Sequence, residues 1–472
     1  MPDRPQLNRR EFLKTGVAGG SGMAALGGVS FITRPERVFG ANDRVRVAIC
    51  GLHGRGMDHV QNYRKIPNAE IAAVCDVDEN VLRQRLAEIE RMGVPKPVSY
   101  IDVRKLLDDK SIDAISVATQ NHWHSLMGIW ACQAGKDAYI EKPCCHNIWE
   151  GRQLVLASKR YGRIVQHGTQ LRSAPALREG VQKLHQGMLG DLYMARGLCF
   201  KWRNTIGRAP VEPVPPGVHY DLWTGPAPVH AFTKNRFHYN WHWFWWYGNG
   251  DLGNQGIHQV DIARWGLGVR FPNKVSAIGG HFMFDDDQET PNDLSCAFEF
   301  DLPEGKRRMM TFEVRHWMTN NEAEVGTPAL GAPMPRHSAG PASGSRDTIG
   351  DMFYGSKGYM TTGDEDAQTY KVWLGEERAP QPSVHTGNDE LAHFTNFIDC
   401  VISRKQENLN APIEEGYISC ALVHLANASY RLGRTIDFNP ETQAVIGDPE
   451  ADLLVRDGDR GYRAPFVVPE EV

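Results

Sequence analysis

The sequence predicts an α/β protein in which a doubly wound parallel sheet is followed by a second domain built on a mostly antiparallel sheet. Between Val45 and about His167, short apolar runs alternate with amphipathic stretches at helical spacing. The runs have no alternating polar face, as expected of strands covered on both sides. After about Arg172 the runs lengthen and are separated by turns, without a helix after each. Strand–helix alternation followed by strand-rich sequence is the pattern of an open parallel sheet joined to an α+β domain.

In order, the apolar runs of the first domain (42–168) are 45–50, 71–75, 114–118, 138–140 and 164–165. A helix is predicted over 80–92, where Val81, Leu82, Leu86 and Ile89 fall near one face. In the second domain (169–435), strands are predicted at 192–200, 274–284, 294–300 and 308–314. Residues 325–350, rich in Gly, Pro, Ala and Ser, read as a long surface loop. Helices are predicted over 389–403, with Leu391, Phe394, Ile398 and Val401 on one face, and over 413–432. The tail, 436–472, has no readable role, and no internal repeat is visible.

At 472 residues the chain is long enough for two well-buried cores. It is 41% hydrophobic and 23% charged with net charge −5, which gives no basic footprint for nucleic acid or a membrane surface. Nine cysteines lie scattered without a CxxC pair, so they read as buried thiols rather than a disulfide framework or zinc site. Adjacent Cys144 and Cys145 are expected to stay reduced. Residues 1–41 are set apart from the fold. There Arg9-Arg10 before Phe12-Leu13-Lys14, then a weakly apolar Gly/Ala-rich stretch, resemble a twin-arginine export signal. The competing reading is a disordered basic tail. The stretch is too glycine-rich for a stable membrane span, and the expected destination is the periplasm or another exported location.

The first chemical site follows the first strand: Gly51-Leu52-His53-Gly54-Arg55-Gly56, then a helix. A glycine turn between strand and helix lets backbone N–H groups and a helix N-terminus approach a pyrophosphate. His53 occupies the place of the middle glycine in G-x-G-x-x-G, so the loop alone is weak. Asp76, 25 positions after Gly51 at the end of the next strand, strengthens it. Its carboxylate can accept both ribose hydroxyls and would repel a 2′-phosphate, which favours NAD over NADP. The competing reading is a domain of this topology without nucleotide.

Two further segments sit at strand carboxyl ends on the same side: Thr119-Gln-Asn121-His-Trp-His124 and Glu141-Lys142-Pro143. A lysine placed there can hydrogen-bond a substrate hydroxyl and lower its pKa as hydride leaves the carbon. The ordered set of glycine loop, Asp76, Asn121 and His124, then Glu141-Lys142-Pro143 resembles the Gfo/Idh/MocA oxidoreductases over roughly residues 44–435. The resemblance implies an N-terminal Rossmann domain and a C-terminal domain whose open-faced sheet often mediates homo-oligomers. It implies Lys142 beside the nicotinamide, assisting hydride transfer at a sugar or polyol carbon. The family's Asp-x-x-x-His helix motif falls on Asn254 and His258, with asparagine in the aspartate's place. Asparagine orients a hydroxyl but takes no proton, so acid/base work would fall to Lys142 and His258. Arg172 matches a family position near the substrate, and Gln170 one near the nicotinamide.

Upstream of that motif, Phe237 to Tyr247 carries four tryptophans in six residues, Trp241 to Trp246. Aromatic faces beside His and Asn donors suit a sugar, and Trp241, His242 and Trp243 are the residues placed against one. A subunit interface and plain core are the rival roles. A metal held by His238, His242 and His258 is a further rival, although the implied chemistry needs none. The expected activity is that of an exported, NAD-dependent oxidoreductase with a tightly bound cofactor, acting on a carbohydrate or polyol. A redox-neutral glycoside-cleaving enzyme and a non-catalytic sugar- or nucleotide-binding protein are the alternatives.

Overall fold

The apolar runs become a six-stranded, all-parallel sheet in the order β3-β2-β1-β4-β5-β6. Its strands are β1 (Val45–Cys50), β2 (Ala69–Cys75), β3 (Val98–Tyr100), β4 (Ala114–Val117), β5 (Asp137–Ile140) and β6 (Val165–His167). The computed structural model describes residues 44–472 except 319, 321, 323–324, 326–346, 364–367, 387–389 and 457–460. The twin-arginine segment lies outside the described residues, as does most of the 325–350 loop. Where that stretch is described again, β11 already begins at Thr348, so the loop ends sooner than its composition suggests. No described helix is long and apolar enough to cross a membrane.

Strand order reverses between β1 and β4, and the carboxyl ends of those two strands diverge into a crevice, the position where doubly wound sheets bind ligands. The helix Asn121–Gln133 after β4 has almost no exposed face. It packs on β5 and on the helix Ile148–Arg160, and its tryptophan Trp123 meets Phe466 of the C-terminal tail edge to face. The tail therefore acts as a strap. Tyr462 donates to Glu150, and Arg463 pairs with Asp221.

The second sheet has eleven strands. Along its main path it runs β14 (Ala379–Pro380), β13 (Thr369–Leu374), β12 (Gly358–Thr362), β11 (Thr348–Gly355), β7 (Leu192–Phe200), β10 (Arg307–Arg315), β9 (Asp293–Asp301), β8 (Lys274–Gly280), β16 (Ile436–Asn439) and β17 (Ala444–Val445). The eleventh, β15 (Val384–His385), pairs with β13. All pairs are antiparallel except β7 with β10. Burial alternates along β9: Leu294, Cys296, Phe298 and Phe300 face inward. The helices Gly256–Leu267 and Ile413–Leu432 cover that inner face. On the other side Ile278 and Tyr193 stand in solvent.

Arg172, in the turn after β6, is tied into this packing. Its guanidinium forms a two-pronged pair with Asp261 (Nε–Oδ2 2.6 Å, Nη2–Oδ1 2.9 Å) inside the helix Gly256–Leu267. It also lies 5.0 Å over the Trp265 ring. Both charged groups are buried, and breaking such a pair by removing one partner costs about 3–5 kcal/mol. Arg172→Ala is therefore expected to lower unfolding free energy in chemical denaturation by about that amount. An unchanged midpoint would contradict the clamp.

Candidate active site

A cavity of about 290 Å³ opens where the ends of β1, β2, β4 and β5 meet the segment 238–254. Gly51 is in the left-handed region (φ +86°), and a Cβ there would fall 2.5 Å from the Ala118 carbonyl oxygen. A Cβ on Gly56 would fall 1.8 Å from the Gly51 oxygen. The two glycines thus serve the tight turn and the close seating of the helix Arg55–Tyr63 on β1. Gly54, which starts that helix, has open space where a side chain would be. His53 fills the remaining fingerprint position and stacks on His238, with centroids 4.3 Å apart and planes within 11°. His238 in turn meets Asp78 at 2.9 Å. Burial, with His53 beside it, lowers the His238 pKa to about 4, so the pair is an uncharged platform at neutral pH.

Asp76 ends β2 with one carboxylate oxygen on the Leu52 amide (2.7 Å) and the other on the Asp78 amide (3.0 Å). Burial raises its pKa to about 6, which leaves it ionised at pH 7. The cradle fits a dinucleotide: a side-chain-free turn, a helix N-terminus, and a carboxylate for ribose hydroxyls.

The turns after β4 and β5 are stitched together. His124 reaches the Pro143 oxygen at 2.7 Å and the Thr119 oxygen at 3.1 Å. Glu141 is buried and takes Arg55 Nε at 2.7 Å and His59 Nε2 at 3.2 Å. Burial works to raise its pKa, but Arg55 and His59 outweigh it and hold the carboxyl well below the ordinary range. Lys142 projects from this anchored turn into the cavity. Its Nζ donates to the Asn254 carbonyl oxygen at 2.8 Å and lies 3.4 Å from Asn254 Oδ1. The Asn254 amide nitrogen donates to Asp251 (3.2 Å), one turn earlier, so its Oδ1 is turned toward the lysine.

Asp251 is the buried hub on the second-domain side. It accepts Arg203 through Nε (3.1 Å) and Nη2 (2.9 Å), and His316 Nε2 at 2.9 Å. Arg203 also donates to the Tyr239 hydroxyl at 3.2 Å. Burial would raise the Tyr239 pKa, yet Arg203 brings it below the usual phenol value. Trp241 and Trp223 supply apolar wall.

Gly51, Leu52, His53, Gly54, Arg55, Asp76, Thr119, Asn121, His124, Glu141, Lys142, Trp241, His242 and Asn254 all line this one cavity. Gly56 supports it from behind. Gln170, Arg172, Trp243 and His258 are buried but do not line it. Trp243 backs the wall, with Arg203 5.2 Å over its ring. Burial lowers the His242 pKa to about 3, so its ring stays neutral and stacks on Trp241. Among the described residues, His238, His242 and His258 do not gather into a metal-ligand set. Tyr239, Arg203, Asp251, His316 and Trp223 are additions that sequence reading did not single out. Tyr239 lies inside the aromatic segment 237–247 and Asp251 three residues before Asn254, whereas Arg203 and His316 come from loops with no local pattern.

Asp76→Ala is expected to weaken NAD binding by about 10–100-fold through loss of charge-assisted hydrogen bonds, and to raise relative NADP affinity. In the unaltered protein NAD affinity should fall as pH drops through about 6, where Asp76 takes up a proton. Titration calorimetry showing no change in either preference would refute the assignment.

Residues 45–169 match the oxidoreductase family with an NAD-binding Rossmann fold, and residues 181–277 and 365–466 match that family's C-terminal alpha/beta domain. A glycosyl hydrolase family 109 protein of Shewanella pealeana (strain ATCC 700345 / ANG-SQ1) is 30% identical over 171 residues, covering 33% of this chain and 38% of that one. The chain thus aligns with well under half of that relative's length. The aldose-aldose oxidoreductase from Caulobacter crescentus, complexed with glycerol, has a TM-score of 0.61 at 16% identity, covering 84% of this chain and 100% of its own. Levoglucosan dehydrogenase, complexed with NADH and levoglucosan, has a TM-score of 0.61 at 17% identity, covering 84% and 99%. At such identities the structural likeness shows the fold. With both family segments matched in chain order, this protein belongs to the Gfo/Idh/MocA oxidoreductase family.

Proposed function

We propose that this protein is an NAD-dependent oxidoreductase that moves hydride between a carbinol carbon of a sugar or polyol and a resident nicotinamide cofactor. The observation that carries the reading is the meeting of Lys142, from the nucleotide-side sheet, with Asn254, from the second domain, in the cavity shared by the glycine turn and Asp76. Gly51, Gly54, the helix start at Arg55 and Asp76 would hold the dinucleotide. A bound nicotinamide supplies the acceptor for the substrate's hydride.

The protein's part is proton handling and placement. Lys142 Nζ, as the neutral amine, takes the substrate hydroxyl proton as the C–H bond breaks, and the ammonium so formed donates to the new carbonyl oxygen. Asn254, aimed by Asp251, orients that hydroxyl without titrating. Tyr239, whose pKa Arg203 lowers, stands in the same cavity as a second proton-exchanging group. His258, outside the lining, has no place in this step. Trp241 and Trp223 present apolar faces for the C–H faces of a sugar ring and exclude water.

We further propose that Arg9-Arg10 directs export of the folded, cofactor-loaded chain, which makes the cofactor resident rather than exchanged. A second reading draws on the glycosyl hydrolase family 109 relative: oxidation, elimination and re-reduction on one sugar, with no net redox change.

Natively purified protein that keeps its own cofactor, incubated with a panel of sugars and polyols, should accumulate reduced nicotinamide, seen in its near-ultraviolet absorbance. Release of free sugar from aryl glycosides without that absorbance would replace this reading with the redox-neutral one. Lys142→Ala should lower kcat by about 10²–10⁴-fold, and Tyr239→Phe should shift the alkaline limb of the pH profile. A Lys142→Ala enzyme with full kcat would remove the lysine from the chemistry.

A further inference from the structure

Directly beneath the Lys142 turn, the chain gathers thiols and imidazoles that the proposed chemistry does not use. Cys144 and Cys145 follow Pro143, while Cys420 and His424 stand one turn apart on the helix Ile413–Leu432. Cys144 Sγ lies 3.8 Å from Cys420 Sγ, and Cys145 Sγ lies 3.3 Å from His424 Nε2. All three sulfurs are within 4.8 Å of one another. The three cysteines are inaccessible, and His424 is 5% exposed. His167, at the end of β6, adds a fully buried ring against Cys420. Its Nδ1 meets Thr169 Oγ1 at 3.2 Å, and its Nε2 has no hydrogen-bond partner among the described residues.

The Cys144–Cys420 and Cys145–His424 separations are those of a tetrahedral centre. With metal–sulfur bonds of about 2.3 Å and metal–nitrogen bonds of about 2.0 Å, neighbouring sulfurs lie about 3.8 Å apart and sulfur and nitrogen about 3.5 Å apart. Buried cysteines commonly pack singly as small hydrophobes. Three sulfurs converging within 4.8 Å, with the His424 ring against one of them, instead form a donor set that suits a thiophilic ion.

We propose that Cys144, Cys145 and Cys420 bind one Zn²⁺ and that His424, turning from its place beside Cys145 Sγ, takes the fourth position of a closed S₃N site that clamps the helix Ile413–Leu432 to the turn bearing Lys142. Binding forms three zinc–sulfur bonds and one zinc–nitrogen bond. The three thiol protons leave to solvent, and no atom changes oxidation state. With Thr169 donating to Nδ1, His167 carries its proton on Nε2 and can donate it to the Cys420 thiolate. A closed four-ligand site leaves no open position for substrate, so its role is structural. Sequence spacing gives no sign of it, because the paired thiols and Cys420 are 276 residues apart.

Full-length protein purified without chelator should contain about one zinc per chain by mass spectrometry of metals. After stripping, Co²⁺ added to the full chain should produce thiolate-to-cobalt charge transfer and tetrahedral d–d bands. Cys420→Ser should abolish both signals. Because Cys420 is also part of the packed core, His424→Gln supplies a second measurement, with an expected loss of at least about tenfold in Co²⁺ affinity and weakened bands. Wild-type protein with neither zinc nor a cobalt–thiolate band would overturn the proposal. So would zinc retained in full by Cys420→Ser, or a Cys144–Cys420 disulfide recovered from non-reduced digests.

Discussion

The ionised, buried carboxylate of Glu141 is the constraint from which the site is organised. Burying a charge of this kind costs several kcal/mol unless it is paired and hydrogen-bonded. Arg55 and His59 meet that demand from the helix that follows the glycine turn. Arg55 also pairs with Glu390, which begins the helix Glu390–Ser403. The chain Glu141–Arg55–Glu390 therefore locks the nucleotide-side helix, the end of β5 and a helix of the second domain into a fixed relation. Gly168 makes room for it, since a Cβ there would come within 3.0 Å of both its Cα and its Oε2. Lys142 is the next residue, so its direction is inherited from this ion pair.

A second buried carboxylate, Asp251, does the same from the opposite wall. Its pairs with Arg203 and His316 fix the helix Gly250–Asn254, and through Arg203 they set the charge environment of Tyr239. The two hubs meet at the Lys142–Asn254 contact. Polar groups whose directions are set before substrate arrives act strongly in a water-poor cavity, because little reorganisation remains to be done.

The parallel sheet was legible because five of its strands contain or overlap short, mostly apolar runs. The sixth, β3, is short, lies at the sheet edge and has exposed residues, so it carries no such signal. In the second sheet, β7 was read to the residue from its long apolar run, whereas β11 was hidden beside a Gly/Pro-rich stretch. The glycine turn, Asp76 and Lys142 could be placed together because strand carboxyl ends share one edge of a doubly wound sheet. Arg172, Gln170, Trp243 and His258 could not be sorted in that way. Whether a buried polar side chain faces a cavity or a neighbouring helix depends on partners distant in sequence, as Asp261 is for Arg172. Arg203 and His316 were invisible for the same reason.

In the proposed function the glycine turn and Asp76 hold the dinucleotide, while Lys142 and Asn254 act on the substrate hydroxyl. That reading makes the nucleotide a resident part of the protein rather than a passing substrate. The direct measurement is mass spectrometry of small molecules released on denaturing natively purified, full-length protein. Release of NAD or NADH at close to one per chain is the predicted result. Protein that releases no nucleotide, or releases NADP instead, would contradict it.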